Sequence, residues 1–241
     1  MKILGIDTSS VTASAAVYEE GKILAESFVN GKLTHSQTMM PILEDMLKNA
    51  RLSLAEMDAF AVACGPGSFT GLRIGISAVK GLAFPAQKPC FGVSTLKALA
   101  YNLLGFEGVI VPAMDARCGQ VYTASFLARE GRVERLTEDR ALSLEQLGEE
   151  LSAFWGEKEV FFVGDGGNLC YNKFRQEGRV CLPPPHLRFA RAAAVCLAAE
   201  QEQPQSAAEL APRYLRLPQA ERELLQKQKA KGEKTNDCTG K

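Results

Sequence analysis

The chain has 241 residues, 46% of them hydrophobic and 23% charged, with 28 basic residues balanced by 28 acidic ones. That is enough to bury the cores of two modest lobes, and a net charge of zero argues against a broad basic face for nucleic acid. No apolar run approaches a membrane span, and the seven scattered cysteines and two distant histidines, His35 and His186, lack metal-ligand spacing.

In chain order, Met1 to Asp7 reads as a strand rather than a leader, because its short apolar run ends in a carboxylate. Residues 3–10, 13–18 and 23–28 make three short strands of an antiparallel meander. The first ends in Asp7-Thr8-Ser9-Ser10, either a phosphate-and-metal turn or a solvated hairpin. Residues 35–51 form an amphipathic helix, capped by Ser36 and containing Pro41. Its Met39, Met40, Ile42, Leu43, Met46 and Leu47 offer an apolar surface too wide for one core contact.

A buried strand over 60–64 then meets Gly65-Pro66-Gly67, which forces a tight reversal, and Ser68 caps a helix reaching Phe84. Within that helix Leu72 and Val79 are apolar, and Gly71, Gly75 and Ala78 form a bare stripe at i, i+4 and i+7. An interior glycine costs a helix roughly 1 kcal/mol, so the stripe reads as a seat for a second helix. A phosphate at the helix N-terminus and simple packing on its own sheet are the other readings. The turn matches neither GxxxxGK[ST] nor GxGxxG. A strand over 88–93 and a helix from Ser94 to Leu104 complete β-β-β-α-β-α-β-α, a mixed sheet flanked by helices.

The second half repeats this logic. A strand over 110–114 ends in Asp115, residues 120–126 are its hairpin partner, and Ala116-Arg117-Cys118-Gly119 parallels Thr8-Ser9-Ser10. A helix over 144–155, a strand over 160–163, the turn Gly164-Asp165-Gly166-Gly167, a helix to about Phe174 and an alanine-rich helix over 189–200 follow. The quasi-repeat predicts two lobes, 1–108 and 109–218, then a polar tail over 219–241 that is helical at most to about Lys231 and disordered beyond.

GIDTSS at 5–10, HSQTMMP at 35–41, GPGSFTGLRIG at 65–75 and GVSTLKALA at 92–100, in this order, resemble the bacterial TsaB (YeaZ) family. The likeness continues through VPAMDARCGQVY at 111–122, VGDG at 163–166 and PRYLR at 212–216. It implies an α/β chain with the duplicated ribonuclease-H-like fold of the actin/Hsp70/sugar-kinase (ASKHA) class, two lobes of mixed β-sheet flanked by helices. It implies a cytoplasmic role beside the catalytic paralogue TsaD and the ATPase TsaE. Together these move a threonylcarbamoyl group from threonylcarbamoyl-adenylate to N6 of the tRNA adenosine 3′ of the anticodon.

TsaD's metal-binding HxxxH falls at Thr95 and Leu99 here, and neither side chain replaces imidazole. TsaD's glycine-rich phosphate turn falls at Asp115-Ala116-Arg117, where a carboxylate repels phosphate. The chain is therefore expected to be a catalytically silent subunit with no metal and no cofactor of its own, ATP or ADP entering only at the interface of the assembled complex. Asp7, Thr8, Ser9, Asp115, Gly164, Asp165 and Gly166 are then degenerate nucleotide-site positions. Met39, Met40, Leu43, Met46, Leu47, Gly71, Leu72, Gly75, Ala78 and Val79 are expected to supply half of a four-helix bundle with TsaD. A second copy of the chain would take that place when TsaD is absent, and tRNA would be met only through the complex. A charge at Gly75 should then block docking and leave the monomer folded. The alternatives are an autonomous ATPase or phosphotransferase of this fold and a metal-dependent peptidase, the latter disfavoured for want of paired histidines.

Overall fold

The computed structural model describes residues 1–31, 33–154 and 156–216. The expected polar tail with its helix to Lys231, and the expected helix end at Trp155, lie outside the described residues. The meander forms as read: β1 (Lys2–Asp7), β2 (Thr12–Glu19) and β3 (Lys22–Asn30) pair antiparallel. β4 (Ala59–Gly65) joins β1 in parallel and β5 (Cys90–Ser94) joins β4, giving the order β3-β2-β1-β4-β5. Helices α1 (His35–Ala50) and α2 (Phe69–Ala86) cover one face, and α3 (Thr95–Tyr101) leaves the end of β5.

The second sheet begins again with β6 (Gly108–Asp115), antiparallel to β7 (Gln120–Thr123) and parallel to β11 (Val160–Val163). Around these lie β8 (Phe126–Arg129), β9 (Arg132–Arg135), β10 (Arg140–Ser143) and β12 (Val180–Cys181). Its helices are α4 (Leu144–Leu151), α5 (Gly167–Phe174) and α6 (Ala192–Ala199). In both lobes the opening strand pairs antiparallel with the next strand and parallel with a later one, so the fold is the duplicated ASKHA arrangement.

The layers run from α1 and α2 through the first sheet, α3 and α6, and the second sheet to α4 and α5. Leu43, Met46, Phe60, Val62, Ile76 and Val79 fill the first interface. Between the sheets the two helices trade places. α6, from the second half, packs Ala192, Val195, Cys196 and Ala199 on Ile3, Ala16 and Ala61 of the first sheet. α3, from the first half, packs Leu96 and Leu99, with Leu103 just beyond its end, against Ile110, Met114 and Phe126 of the second, while its Ala98 and Tyr101 stay against the first. The alanines of α6 let it come so close that a Cβ on Gly5 would strike Cys196 Sγ. The boundary expected between 108 and 109 is thus crossed by a helix in each direction.

Several expected elements are cut differently. Residues 120–126 are not one strand, because Ser125 breaks out: its N–H donates to Thr137 Oγ1 (2.8 Å) and its carbonyl accepts from Leu136 N (2.8 Å). β7 therefore pairs with the end of β6 and β8 with its start. α1 is preceded by Thr34 rather than capped by Ser36, and Thr34 makes no side-chain cap bond. α6 begins at Ala192 because Gly164 N bonds Arg188 O (2.7 Å) and Thr12 Oγ1 bonds Ala190 O (3.0 Å), tying 188–190 to both lobes. The helix expected over 144–155 is α4 followed by a 3₁₀ turn, Ser152–Phe154. Ser68 and Ser94 do cap their helices, accepting from Gly71 N and Lys97 N.

Candidate functional site

The ends of β1 and β6 face each other across a cleft between the lobes, about 370 Å³, lined by Ser9, Ser10, Gly67, Ser68, Asp115, Arg117, Tyr122 and Asp165 among others. The duplication shows in its hydrogen bonds. Asp7 Oδ1 accepts from Ser9 N (2.8 Å), and Asp115 Oδ1 accepts from Arg117 N (2.8 Å), the same i to i+2 turn in each lobe. Asp7 is fully buried; burial pushes its carboxyl above the ordinary range, against the pull of the bonds from Ser9 Oγ (2.6 Å) and N. Burial also pushes Asp165 up; the bond from Asp115 N (3.2 Å) opposes this and the nearby Asp115 charge adds to it.

A polyphosphate would need free backbone N–H groups here. Five of the N–H groups around the cleft are spent inside the chain. Ser9 N serves Asp7, Ser68 N serves Ser9 O (2.7 Å) and Gly71 N serves Ser68 Oγ (3.2 Å). On the other side Gly166 N serves Ala113 O (2.9 Å) and Gly167 N serves Gly164 O (3.0 Å). Asp115 and Asp165 add carboxylates that would repel a phosphate brought into the cleft. Thr95 and Leu99 are buried, and Leu99 Cδ1 lies 3.3 Å from where a Cβ on Gly164 would stand. Among the described residues no three His, Cys, Asp or Glu come together as a metal's ligands. His35, at the start of α1, places Nε2 2.8 Å from Ser10 O, so its ring ties α1 to the first turn. Burial pushes the Cys64 and Cys170 thiols up to about 12, which leaves them unreactive.

Most of the expected docking positions face inward in this chain. Met39, Leu43, Met46, Leu47, Leu72 and Val79 are buried in the first lobe's own core. Gly71 and Gly75 face inward too. A Cβ on Gly71 would strike the Thr8 carbonyl, and one on Gly75 would stand 2.5 Å from Thr8 Oγ1, which itself donates to Gly71 O (2.7 Å). The glycines seat α2 on the end of its own β1. Of the ten positions expected to meet a partner, Met40 is 46% exposed and Ala78 is half-buried at the surface.

A second stripe, missed in the sequence, lies outward on α2: Thr70, Ile74, Ser77, Gly81 and Phe84, the last 70% exposed. Its spacing alternates four and three, the 3.5-residue period of a helix-pairing seam, and that period was the signal available. With Ser36 and Met40 of α1 it borders a shallow groove. Nothing lies within 4 Å of a Cβ added to Gly81.

The profile of the family described as "TsaD: tRNA N6-adenosine threonylcarbamoyltransferase" matches residues 22–238. The tRNA threonylcarbamoyladenosine biosynthesis protein TsaB of Bacillus subtilis strain 168 is 32% identical over 95% of this chain and 100% of its own length. The chain belongs to the TsaB (YeaZ) family. The TsaB of Escherichia coli K12 is 38% identical over 59% of this chain and 62% of its own. The solved structure of YeaZ from Pseudomonas aeruginosa superposes with a TM-score of 0.73 at 26% identity, covering 89% of this chain and 99% of that one. The TsaB family's place is in tRNA threonylcarbamoyladenosine biosynthesis. Among the described residues no helix is long and apolar enough to cross a membrane.

Proposed function

We propose that this TsaB-family chain is a non-catalytic subunit that docks TsaD through the outward seam of α2 and the adjoining surface of α1. With TsaE it supports transfer of the threonylcarbamoyl group from threonylcarbamoyl-adenylate to N6 of the tRNA adenosine 3′ of the anticodon, in the cytoplasm. One observation carries the reading: Thr70, Ile74, Ser77, Gly81 and Phe84 repeat at helix-pairing spacing on a helix whose other side already fills a core. Small residues mid-seam let another backbone approach, and Phe84 offers an apolar anchor. The cleft supports it from the other side, because its spent donors and paired carboxylates oppose phosphate. The chain alone then holds no nucleotide, and ATP or ADP enters at the assembled interface. A second copy occupies the same seam when TsaD is absent, and tRNA is met through TsaD.

Gly75→Glu, the variant the sequence suggests, would drive a carboxylate into Thr8 and disrupt the lobe. Ser77→Glu and Gly81→Glu place the charge in the seam instead. Each is expected to abolish co-purification with TsaD while lowering the chain's own unfolding free energy by no more than about 0.5 kcal/mol. TsaD retained by both variants would exclude this seam. Mixing the chain with TsaD, TsaE, tRNA and threonylcarbamoyl-adenylate, each omitted in turn, should give modified tRNA only when TsaD is present; product without TsaD would show the chain to be catalytic.

A further inference from the structure

After α6 the chain returns to the first lobe. Cys90 and Gln205 exchange backbone bonds (2.9 Å each), and Arg213 N then donates to Cys64 O on β4 (2.7 Å). Gly65 is required at this crossing: its φ is +125°, and a Cβ would strike the Arg213 carbonyl. From that anchor the next residues reach both lobes. Tyr214 stacks on Phe69, the first residue of α2, with centroids 4.3 Å apart and planes at 23°. Its hydroxyl accepts from Arg73 Nε (2.9 Å). Arg216 crosses to the second lobe, donating to Ala116 O (2.9 Å) and to Gln120 Oε1, with its guanidinium 5.5 Å over the Tyr122 ring. Ala116 and Tyr122 line one wall of the cleft, and Gly67, Ser68 and Phe69 line another.

We propose that Pro212–Arg216 is a strap through which the outward face of α2 and the inter-lobe cleft sense each other. Arg73 joins the groove to the strap. It holds Tyr214, and it also borders the groove formed with Ser36, Met40, Thr70 and Ile74. A partner that recruits the Arg73 guanidinium releases Tyr214 and weakens the grip of Arg216 on the turn at 116–120. That turn carries strain that Arg216 helps to hold, because Arg117 and Cys118 both take left-handed backbone, with φ of +67° and +54°. By linkage, whatever steadies the turn changes the affinity at the groove by the same factor. That the partner is TsaD rests on the docking reading above; the coupling within the chain does not.

Hydrogen exchange on the full chain alone tests it, read on peptides covering 115–123. Arg216→Ala is expected to speed exchange there about thirtyfold, because it removes two hydrogen bonds and the guanidinium over the Tyr122 ring. Arg73→Ala is expected to speed it about fivefold although Arg73 lies on the other lobe, and Tyr214→Phe, which keeps both the stack and the guanidinium 5.8 Å over the ring, should speed it less but measurably. The Arg73→Ala, Tyr214→Phe double variant should add nothing further, and peptides over β11 should not change. If Arg216→Ala alone has an effect, the segment is a static tie and the coupling is overturned. If Arg216→Ala has none, there is no strap. Neither result depends on whether Ser77→Glu releases TsaD.

Discussion

At the scale of single residues, the facing carboxylates set how the cleft responds to pH. Unfolded Asp165 releases its proton near 3.8, whereas burial and Asp115 make the folded residue hold it to a higher pH. The folded state binds that proton more tightly, so this residue's contribution to stability is fully present below 3.8 and is lost as pH rises through the folded value. Asparagine keeps an oxygen for Asp115 N and does not titrate. Asp165→Asn is therefore expected to raise the thermal midpoint at pH 7 by about 2–4 °C, and the gain should vanish below about pH 4. Equal midpoints at pH 7, followed by calorimetry, would mean that the burial is relieved by water. Asp7 has the same sign but makes a poorer test, because its Oδ2 has no hydrogen-bond partner among the described residues and an amide there would bury a bare donor. The two aspartate turns were legible in the sequence because the bond to the i+2 N–H is local. The Arg73–Tyr214 bond was not: it joins positions 141 apart, and no periodicity records such a pair.

At the scale of the element, α2 carries two adjacent stripes, one turned inward and one outward. The inner one seats the helix on Thr8, and the outer one is open at Gly81. Alanine separates them. Gly71→Ala must push Cβ against a backbone carbonyl and is expected to cost about 2–3 kcal/mol in urea unfolding. Gly81→Ala meets nothing and should gain about 0.5–1 kcal/mol from helix propensity. A cost at both positions would mean that Gly81 is covered in the free chain. The sequence marks a glycine stripe as a close approach without saying whether the neighbour is the chain's own backbone or another molecule's, which is why the inner stripe alone reads as a docking face. The first lobe's elements were legible in order because their apolar runs and turns alternate clearly. β9 and β10, Arg132–Arg135 and Arg140–Ser143, were not, since both are half-exposed, and β9 alternates arginine with valine and glutamate and so carries no buried run.

At the scale of the molecule, the internal repeat suggests two lobes, and the packing of α3 and α6 across the boundary makes each depend on the other. A repeat in sequence records the order of strands and turns, not the sheet on which a helix lands. Without α6 the first sheet exposes Ile3, Ala16, Ala61 and Phe91; without α3 the second exposes Ile110, Met114 and Phe126. Polar ties reinforce the exchange: Asn102 Nδ2 donates to Leu187 O (3.1 Å) and Phe189 O (2.8 Å), and Ala192 N donates to Ser14 Oγ (2.9 Å). On the far side Ser94 Oγ donates to Asp139 Oδ2 (2.5 Å), which shares its carboxylate with Arg135. Residues 1–108 and 109–241 expressed separately are therefore expected to be insoluble or to lack near-UV dichroism, while the intact chain melts in one transition with matching calorimetric and van't Hoff enthalpies. Asn102→Ala should lower that midpoint without splitting it, because the apolar helix exchange remains. Two resolved transitions in the intact chain, or a separately folded half, would mean that the lobes are joined by contact alone and that a partner on α2 has no rigid frame through which to reach the cleft.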